Sequence, residues 1–159
     1  MGVITRPLVP ADLPAVQEAL VESRAFSDEE LRVALEMVEA GFNDGYSLLA
    51  AVLDGHVRGY ACIGRTPLTA STWYVYWICV HPAVQGTGVG RALQSRIETL
   101  VCESGGDRIV LETSGRTDYE RTRRFYQRAG FTVVGCIPDF YKSGDDCVIY
   151  CKTLRGDNT

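Results

Sequence analysis

Three glycines, Gly86, Gly88 and Gly90, separate a strand-like run from a helix-like run, and this junction constrains the fold most strongly. Before it, the aromatic and β-branched run Thr72–Val80 predicts a strand. After it, apolar residues recur at helical spacing from Val89 to Val101, which predicts a helix. Glycines permit a sharp turn that bares backbone N–H groups, and a helix start adds unpaired donors and a positive dipole end. The junction is therefore predicted to bind phosphate.

Other phosphate-binding motifs fit this junction less well. A Walker A loop ends in Gly-Lys-Ser/Thr, whereas Gly90 is followed by Arg91 and Ala92. In a dinucleotide-binding G-x-G-x-x-G, the third glycine would fall on Arg91 if the motif began at Gly86, or on Leu93 if it began at Gly88. A glycine-rich turn without any ligand is the remaining structural alternative.

The rest of the chain predicts a mixed α/β fold. A helix follows Asp12 as its cap and runs to about Ser23, and Ser27 and Glu30 form a capping box before a second helix. Asp54-Gly55 is a hairpin signal. The predicted strands are Val3–Val9, Tyr46–Leu53, His56–Arg65, Thr72–Val80, Arg108–Thr113, Phe131–Ile137 and Cys147–Thr153, and a fourth helix is predicted over Asp118–Ala129. This order predicts a central mixed sheet of about seven strands flanked by about four helices, in one domain over 1–154, with a C-terminal tail at 155–159.

Composition limits the classes of function. A chain of 159 residues predicts one domain, and its 46% of hydrophobic residues can form a core. No apolar run approaches the ~18 residues of a membrane span, and no signal peptide is evident, so we expect a cytoplasmic protein without membrane contact. A net charge of −4 argues against nucleic-acid binding. That charge suits a cationic amine substrate, and it equally suits simple solubility.

Metal binding is not expected from the cysteine and histidine content. The six cysteines include no Cys-x-x-Cys pair, and the two histidines are His56 and His81. Cysteines within apolar runs behave as small hydrophobic residues, so we expect reduced, structural thiols.

Two motifs together resemble the GCN5-related N-acetyltransferases. Gln85-x-x-Gly88-x-Gly90 resembles the acyl-CoA pyrophosphate loop, and Arg124–Phe131 resembles a second family segment that contains a tyrosine, here Tyr126. The resemblance implies acetyl-CoA as cosubstrate. It implies cofactor contacts from the strand end and the loop, namely Ile78, Cys79, Val80, Gln85, Gly86, Thr87, Gly88, Val89, Gly90 and Arg91.

The resemblance also implies that Tyr126 protonates the departing CoA sulfur. The alternative is that Tyr126 is a core aromatic on an amphipathic helix. The match has two departures. Tyr119 and Thr122 occupy positions where relatives often carry Asn and Ala, and in those relatives the Asn commonly helps to hold the CoA arm.

Glu112 is the candidate general base. A lysine-like amine has a pKa near 10.4, so it must lose a proton before it attacks the thioester. Glu112 lies near the end of the strand that follows the CoA helix, and it resembles the glutamate of Leu-Glu-Val in protein N-terminal acetyltransferases. It precedes Tyr126 by fourteen residues, about two more than in those relatives. The alternative is a solvated carboxylate at a strand end.

Acceptor binding is assigned to Tyr76, Trp77, Asp139 and Tyr141. The end of segment 137–146 resembles the tyrosine-rich acceptor loop of ribosomal-protein N-terminal acetyltransferases; the alternative is a hairpin with aromatic packing and a Gly-Asp turn. The predicted activity is direct acetyl transfer to a small amine, an amino-acid-like molecule or a protein N-terminus. A non-catalytic acyl-CoA-binding regulatory module is the alternative, and a homodimer stays open.

Overall fold

The computed structural model describes residues 2–154, so the predicted tail at 155–159 lies outside the described residues. The predicted element order is confirmed. The strands are β1 (Ile4–Pro7), β2 (Ser47–Leu53), β3 (His56–Arg65), β4 (Thr72–Val80), β5 (Arg108–Ser114), β6 (Thr132–Lys142) and β7 (Asp145–Thr153). The helices are α1 (Leu13–Ser23), α2 (Asp28–Gly41), α3 (Val89–Glu103) and α4 (Glu120–Arg128).

The seven strands form one sheet in the order β1-β2-β3-β4-β5-β7-β6. The β4–β5 pair is parallel, whereas β1–β2, β2–β3, β5–β7 and β6–β7 are antiparallel. The predicted mixed sheet is therefore confirmed. Backbone contacts divide the chain into two compact units, which we describe separately. Unit one is the chain up to Arg65 together with Val75–Leu100, and unit two is Thr66–Tyr74 together with the chain from Val101.

The first two helices pack on the sheet strands of unit one. Val16 and Leu20 of α1 and Val38 of α2 are at most 1% exposed, in one apolar cluster with Tyr60 and Cys62 of β3. This burial of one face of each helix is the main source of stability for such an arrangement.

Both helices begin where they were predicted to begin, since Asp12 is the residue before α1 and Ser27 the residue before α2, but only Ser27 caps its helix with its side chain. Ser27 Oγ accepts from Glu30 N at 3.2 Å, and Glu30 Oε2 accepts from Ser27 N at 2.6 Å, which confirms the capping box. Asp12 was expected to cap α1, yet its carboxylate instead accepts from Val9 N at 2.9 Å and from the Arg6 guanidinium at 2.7 and 2.9 Å. A 3-10 turn over Pro10–Asp12 intervenes and directs the side chain backwards.

Helix α3 lies very close to strand β3. Val89, Leu93 and Ile97 form a stripe that is at most 1% exposed. A Cβ at Gly59 would lie 3.0 Å from the Cys79 carbonyl oxygen and 3.0 Å from Val89 Cγ1. Since any side chain there would push α3 away, Gly59 permits the approach that fixes the first turn of this helix.

In unit two, the last two strands are longer than predicted. The first was expected to end at Ile137, but β6 continues to Lys142. The second was expected to begin at Cys147, but β7 begins at Asp145. Lys142 is opposite Asp145 across a two-residue turn. Segment 137–146 is therefore a β-hairpin with its turn at Ser143-Gly144, and acceptor binding by this segment stays a prediction. The pairing shifts register between Ile137 and Lys142, and Asp139 adopts a positive φ of 52°.

Helix α4 packs on the same unit. Tyr126, 5% exposed, inserts its ring beside Tyr150 of β7, and Lys152 Nζ donates to the Ala129 carbonyl at 2.6 Å at the C-terminal end of the helix. The helix begins at Glu120 rather than at Asp118, because a 3-10 turn over Thr117–Tyr119 precedes it.

Candidate functional site

The glycine junction of unit one forms a tight turn before α3. Gly86 and Gly88 have φ values of 82° and 97°, a region that side-chain-bearing residues rarely adopt. Thr87 N donates to the Val84 carbonyl at 3.3 Å, and Thr87 Oγ1 donates to the same oxygen at 2.6 Å. These two bonds to the Val84 carbonyl stabilise the turn, while Gln85, Gly86 and Thr87 are exposed.

The first turn of α3 supplies backbone donors at this junction. Ala92 N donates to the Gly88 carbonyl at 2.9 Å, which is the first bond of the helical ladder. The N–H groups of Val89, Gly90 and Arg91 come before this bond and have no acceptor within the helix, as at any helix start. Arg91 itself lies in this first turn, and its side chain is exposed.

His81, which was not among the predicted site residues, stabilises the 3-10 turn that precedes the glycine junction. His81, 9% exposed, follows β4, and its N–H donates to the Arg58 carbonyl at 2.8 Å. Its Nδ1 accepts from Ala83 N at 3.1 Å, so the ring caps the 3-10 turn over Pro82–Val84. His-Pro after a strand is the sequence signal that could have shown it. The predicted cofactor residues Ile78, Cys79 and Val80 are the last three of β4.

Glu112 lies on β5 in unit two, and its side chain is exposed. Tyr74 of β4 donates a hydrogen bond to its carboxylate, and burial together with that negative charge raises the pKa of Tyr74. Cys147 of β7 also hydrogen-bonds the carboxylate, and burial raises the pKa of the Cys147 thiol. The Tyr141 hydroxyl is 3.9 Å from Cys147 Sγ. Two protonated donors, both missed by sequence reasoning, therefore hold the predicted base.

Tyr126 lies in a different environment of the same unit. Its ring is 5.5 Å from Phe125, 5.8 Å from Phe131 and 5.9 Å from Tyr150, centroid to centroid. Burial in this aromatic cluster raises the pKa of Tyr126, which keeps the hydroxyl protonated. Tyr150 is opposite Leu111, and Glu112 is opposite Ile149, so Tyr126 and Glu112 face opposite sides of β5 and β7.

The predicted acceptor residues fall into two groups. In unit one, Tyr76 packs edge-on against Tyr46 at 5.2 Å, and Trp77 packs against Phe26 at 5.0 Å. The Trp77 indole N–H is buried and has no hydrogen-bond partner among residues 2–154.

In unit two, only Tyr141 of the predicted acceptor residues joins the Glu112 cluster. Asp139 instead closes its own hairpin: its carboxylate accepts from Gly144 N at 2.7 Å, and its N–H donates to Asp146 Oδ1 at 2.9 Å. Asp139 therefore has a local structural partner that accounts for its position.

The end of β5 is held by a charged network that the sequence did not predict. Ser114 donates a short hydrogen bond to the buried Asp145 at the start of β7. Arg123 of α4 donates to the Ser114 and Arg116 carbonyls at 2.8 and 2.7 Å. These bonds fix the strand end beside Glu112 and tie it to α4.

Comparison with known proteins decides the family. The model of the Acetyltransferase (GNAT) family matches residues 13–131. The chain belongs to the GNAT family of acetyltransferases. A solved structure from Desulfovibrio desulfuricans, described as being of the GNAT family, is 38% identical to this acetyltransferase, with a TM-score of 0.91, over 97% of this chain and all (100%) of that one.

Two curated relatives of this acetyltransferase carry different names. The 5-NmdU N-acetyltransferase of Pseudomonas phage PaMx11 is 29% identical over 84% of this chain and 89% of the relative. The N-alpha-acetyltransferase RimI of Mycobacterium tuberculosis is 36% identical over 65% of this chain and 61% of the relative. A Salmonella typhimurium structure with acetyl-CoA shares the fold, at 24% identity and a TM-score of 0.77 over 100% of this chain and 98% of that one.

The glycine junction of this acetyltransferase fits a CoA pyrophosphate. A Cβ built at Gly88 would meet no heavy atom of the described residues within 4 Å, so the space on that side of the turn is open. The unpaired N–H groups at the start of α3 follow directly after that turn, and a helix N-terminus of this kind suits a phosphate.

The cysteines of this acetyltransferase form no disulfide: all six are free thiols. Within residues 2–154, no group of three or more His, Cys, Asp or Glu side chains is arranged to hold a metal ion, and no helix is long and apolar enough to cross a membrane. A concavity of about 320 Å³ in unit one, between the end of α2, β1, β2 and α3, is lined by none of the predicted site residues.

Proposed function

We propose that this acetyltransferase moves an acetyl group from acetyl-CoA to a primary amine by direct transfer. The observation that carries the proposal is the turn at Gly86 and Gly88, whose positive φ values lead directly into the first turn of α3. Such a turn suits the pyrophosphate of acetyl-CoA, with Arg91 as an added cation. Ile78, Cys79 and Val80 supply backbone groups for the pantetheine arm.

In the proposed reaction, Glu112 takes the proton of the acceptor ammonium, directly or through water. The neutral nitrogen then attacks the thioester carbonyl carbon, and the C–S bond breaks as the amide forms. The sulfur leaves with the bonding electron pair and takes the hydroxyl proton of Tyr126. The products are the N-acetylated amine and CoA with a free thiol.

Direct transfer is supported by the state of the thiol nearest to the base. The attacking form of a cysteine is the thiolate, and the pKa of Cys147 is raised by burial. The thiol thus stays protonated and acts as a donor to Glu112, so an acetyl-cysteine intermediate at Cys147 is disfavoured.

The acceptor is proposed at the level of a primary amine. An exposed carboxylate beside aromatic side chains suits an ammonium group. The two curated relatives have names that point to a 5-NmdU acceptor and to an N-alpha group, respectively, so both kinds of amine belong in the test.

The test is an acetyl-CoA assay read by release of free thiol and by mass spectrometry of the acceptor. Acceptors are 5-NmdU, small polyamines, free amino acids and peptides with free N-termini. An acetylated nitrogen is expected in at least one of these classes. Binding of acetyl-CoA without turnover on any amine would contradict it and would favour the regulatory-module alternative.

A further inference from the structure

Tyr74 shares a sheet face with Glu112. In the parallel β4–β5 ladder, Tyr74 is opposite Val110, which lies two residues before Glu112 on the same face. A diagonal neighbour of this kind is within reach of an aromatic side chain. Tyr74 is half-buried, and its hydroxyl donates to the Glu112 carboxylate.

Strand β7 approaches the Glu112 carboxylate from the opposite edge of β5 to β4. In the antiparallel β5–β7 ladder, Cys147 is opposite Ser114, the other diagonal position to Glu112. Cys147 is fully buried, and the Tyr141 hydroxyl oxygen lies 3.9 Å from its Sγ. Strands β4 and β7 therefore each present one neutral donor to the carboxylate on the middle strand.

We propose that Tyr74 is a positioning residue, whose hydroxyl fixes the Glu112 carboxylate in the orientation that receives the acceptor proton. This proposal rests on the proposed function, in which Glu112 is the base. A glutamate on an exposed strand position otherwise samples several rotamers, and a base acts only when it is within hydrogen-bond reach of the proton. Cys147 supports the same carboxylate from the buried side, so Tyr74 is the donor on the more accessible side.

The first measurement is independent of turnover. In protein with ¹³C-labelled glutamate, the Glu112 carboxyl signal is assigned by its loss in Glu112→Gln. At pH 8 the signal should shift in Tyr74→Phe, because the carboxylate loses a donor. It should stay in place in Tyr60→Phe, a matched loss of a buried hydroxyl in unit one. An unmoved signal in Tyr74→Phe would overturn the proposal whether or not an amine acceptor has been found.

The second measurement is a double-mutant cycle on the acetylation rate. Tyr74→Phe should lower kcat by about ten-fold, the usual effect of losing a hydrogen bond to a charged group, and should leave the KM for acetyl-CoA unchanged. In the Glu112→Gln background the same change should lower kcat by less than about two-fold, since there is no longer a base to position.

The outcomes of the cycle separate the two proposals. Equal losses from Tyr74→Phe in both backgrounds would show that Tyr74 acts independently of Glu112 and would overturn the positioning role. A parental rate in Glu112→Gln would instead remove the base from the proposed function, and the positioning role would fall with it. Tyr60→Phe should keep the parental kcat throughout.

Discussion

Glu112 and Tyr126 lie on opposite faces of the ladder between β5 and β7. Glu112 pairs with Ile149, whereas the Tyr126 ring is 5.9 Å from Tyr150, the partner of Leu111 on the other face. The proposed base is exposed and held by polar donors, and the proposed acid is buried among aromatic rings. The two groups can therefore be varied one at a time, because no side-chain neighbour described for one is shared with the other.

Tyr126→Phe should separate catalysis from packing. The ring and its aromatic contacts stay, and only the hydroxyl is lost. Turnover should fall by about 10²- to 10⁴-fold, the usual contribution of a general acid, while the melting temperature should barely change. The matched control is Tyr150→Phe, a neighbouring ring whose hydroxyl hydrogen-bonds Gln127. It should cost about 1 kcal/mol of stability and keep the rate. A parental rate in Tyr126→Phe would make Tyr126 a core residue only.

Glu112→Gln should lower turnover in a pH-dependent manner. The amide cannot take the proton, so the loss should be largest at neutral pH, where a lysine-like amine with a pKa near 10.4 is almost fully protonated. Part of the rate should return at alkaline pH, because more acceptor is then already neutral. Rates of parent and variant between pH 6 and pH 10 measure this. Parallel profiles would assign proton removal to water or to another group.

Gly88→Glu should abolish acetyl-CoA binding at the glycine junction. Acetyl-CoA should raise the melting temperature of the parent by mass action. A carboxylate at position 88 would project into the open space and repel the pyrophosphate. Gly55→Glu is the matched control, since Gly55 has a comparable φ of 79° and open surroundings but lies in the β2–β3 turn. Both variants should lose similar intrinsic stability, but only in Gly55→Glu should acetyl-CoA still raise the melting temperature. A retained shift in Gly88→Glu would locate CoA elsewhere.

Asp12→Asn should destabilise the protein in a pH-dependent manner. The hydrogen bond from Arg6 holds the pKa of Asp12 below its ordinary value, and the Val9 N–H acts in the same direction. A lowered folded-state pKa stabilises the protein above the ordinary carboxyl range, and this contribution disappears as the pH falls through the folded value.

We therefore expect a loss of about 1 kcal/mol for Asp12→Asn at pH 7, which should shrink towards zero under strongly acidic conditions. Denaturant unfolding at several pH values measures it. The control is Glu36→Gln, which breaks the exposed Arg32–Glu36 pair and should change stability by only a few tenths of a kcal/mol. A pH-independent loss at Asp12 would attribute its effect to packing instead.

Features that depend on near neighbours along the chain could be predicted from the amino-acid order alone. The glycine junction, the capping box of Ser27 and Glu30, and the succession of strands and helices are set by backbone conformation and by hydrogen bonds within a few residues. These local signals also carried the family resemblance that the comparisons confirmed.

Contacts between side chains that are distant in sequence depend on how the strands pair in the folded protein. Tyr74, Glu112 and Cys147 are 38 and 35 residues apart in sequence, and they come together because the β4–β5 and β5–β7 registers put them on one face. A shift of one residue in either register would turn a side chain to the opposite face, and no local pattern fixes that choice. Asp12 is a second example. Its carboxylate accepts a hydrogen bond from Arg6 and none from the backbone of α1, the helix that it was expected to cap.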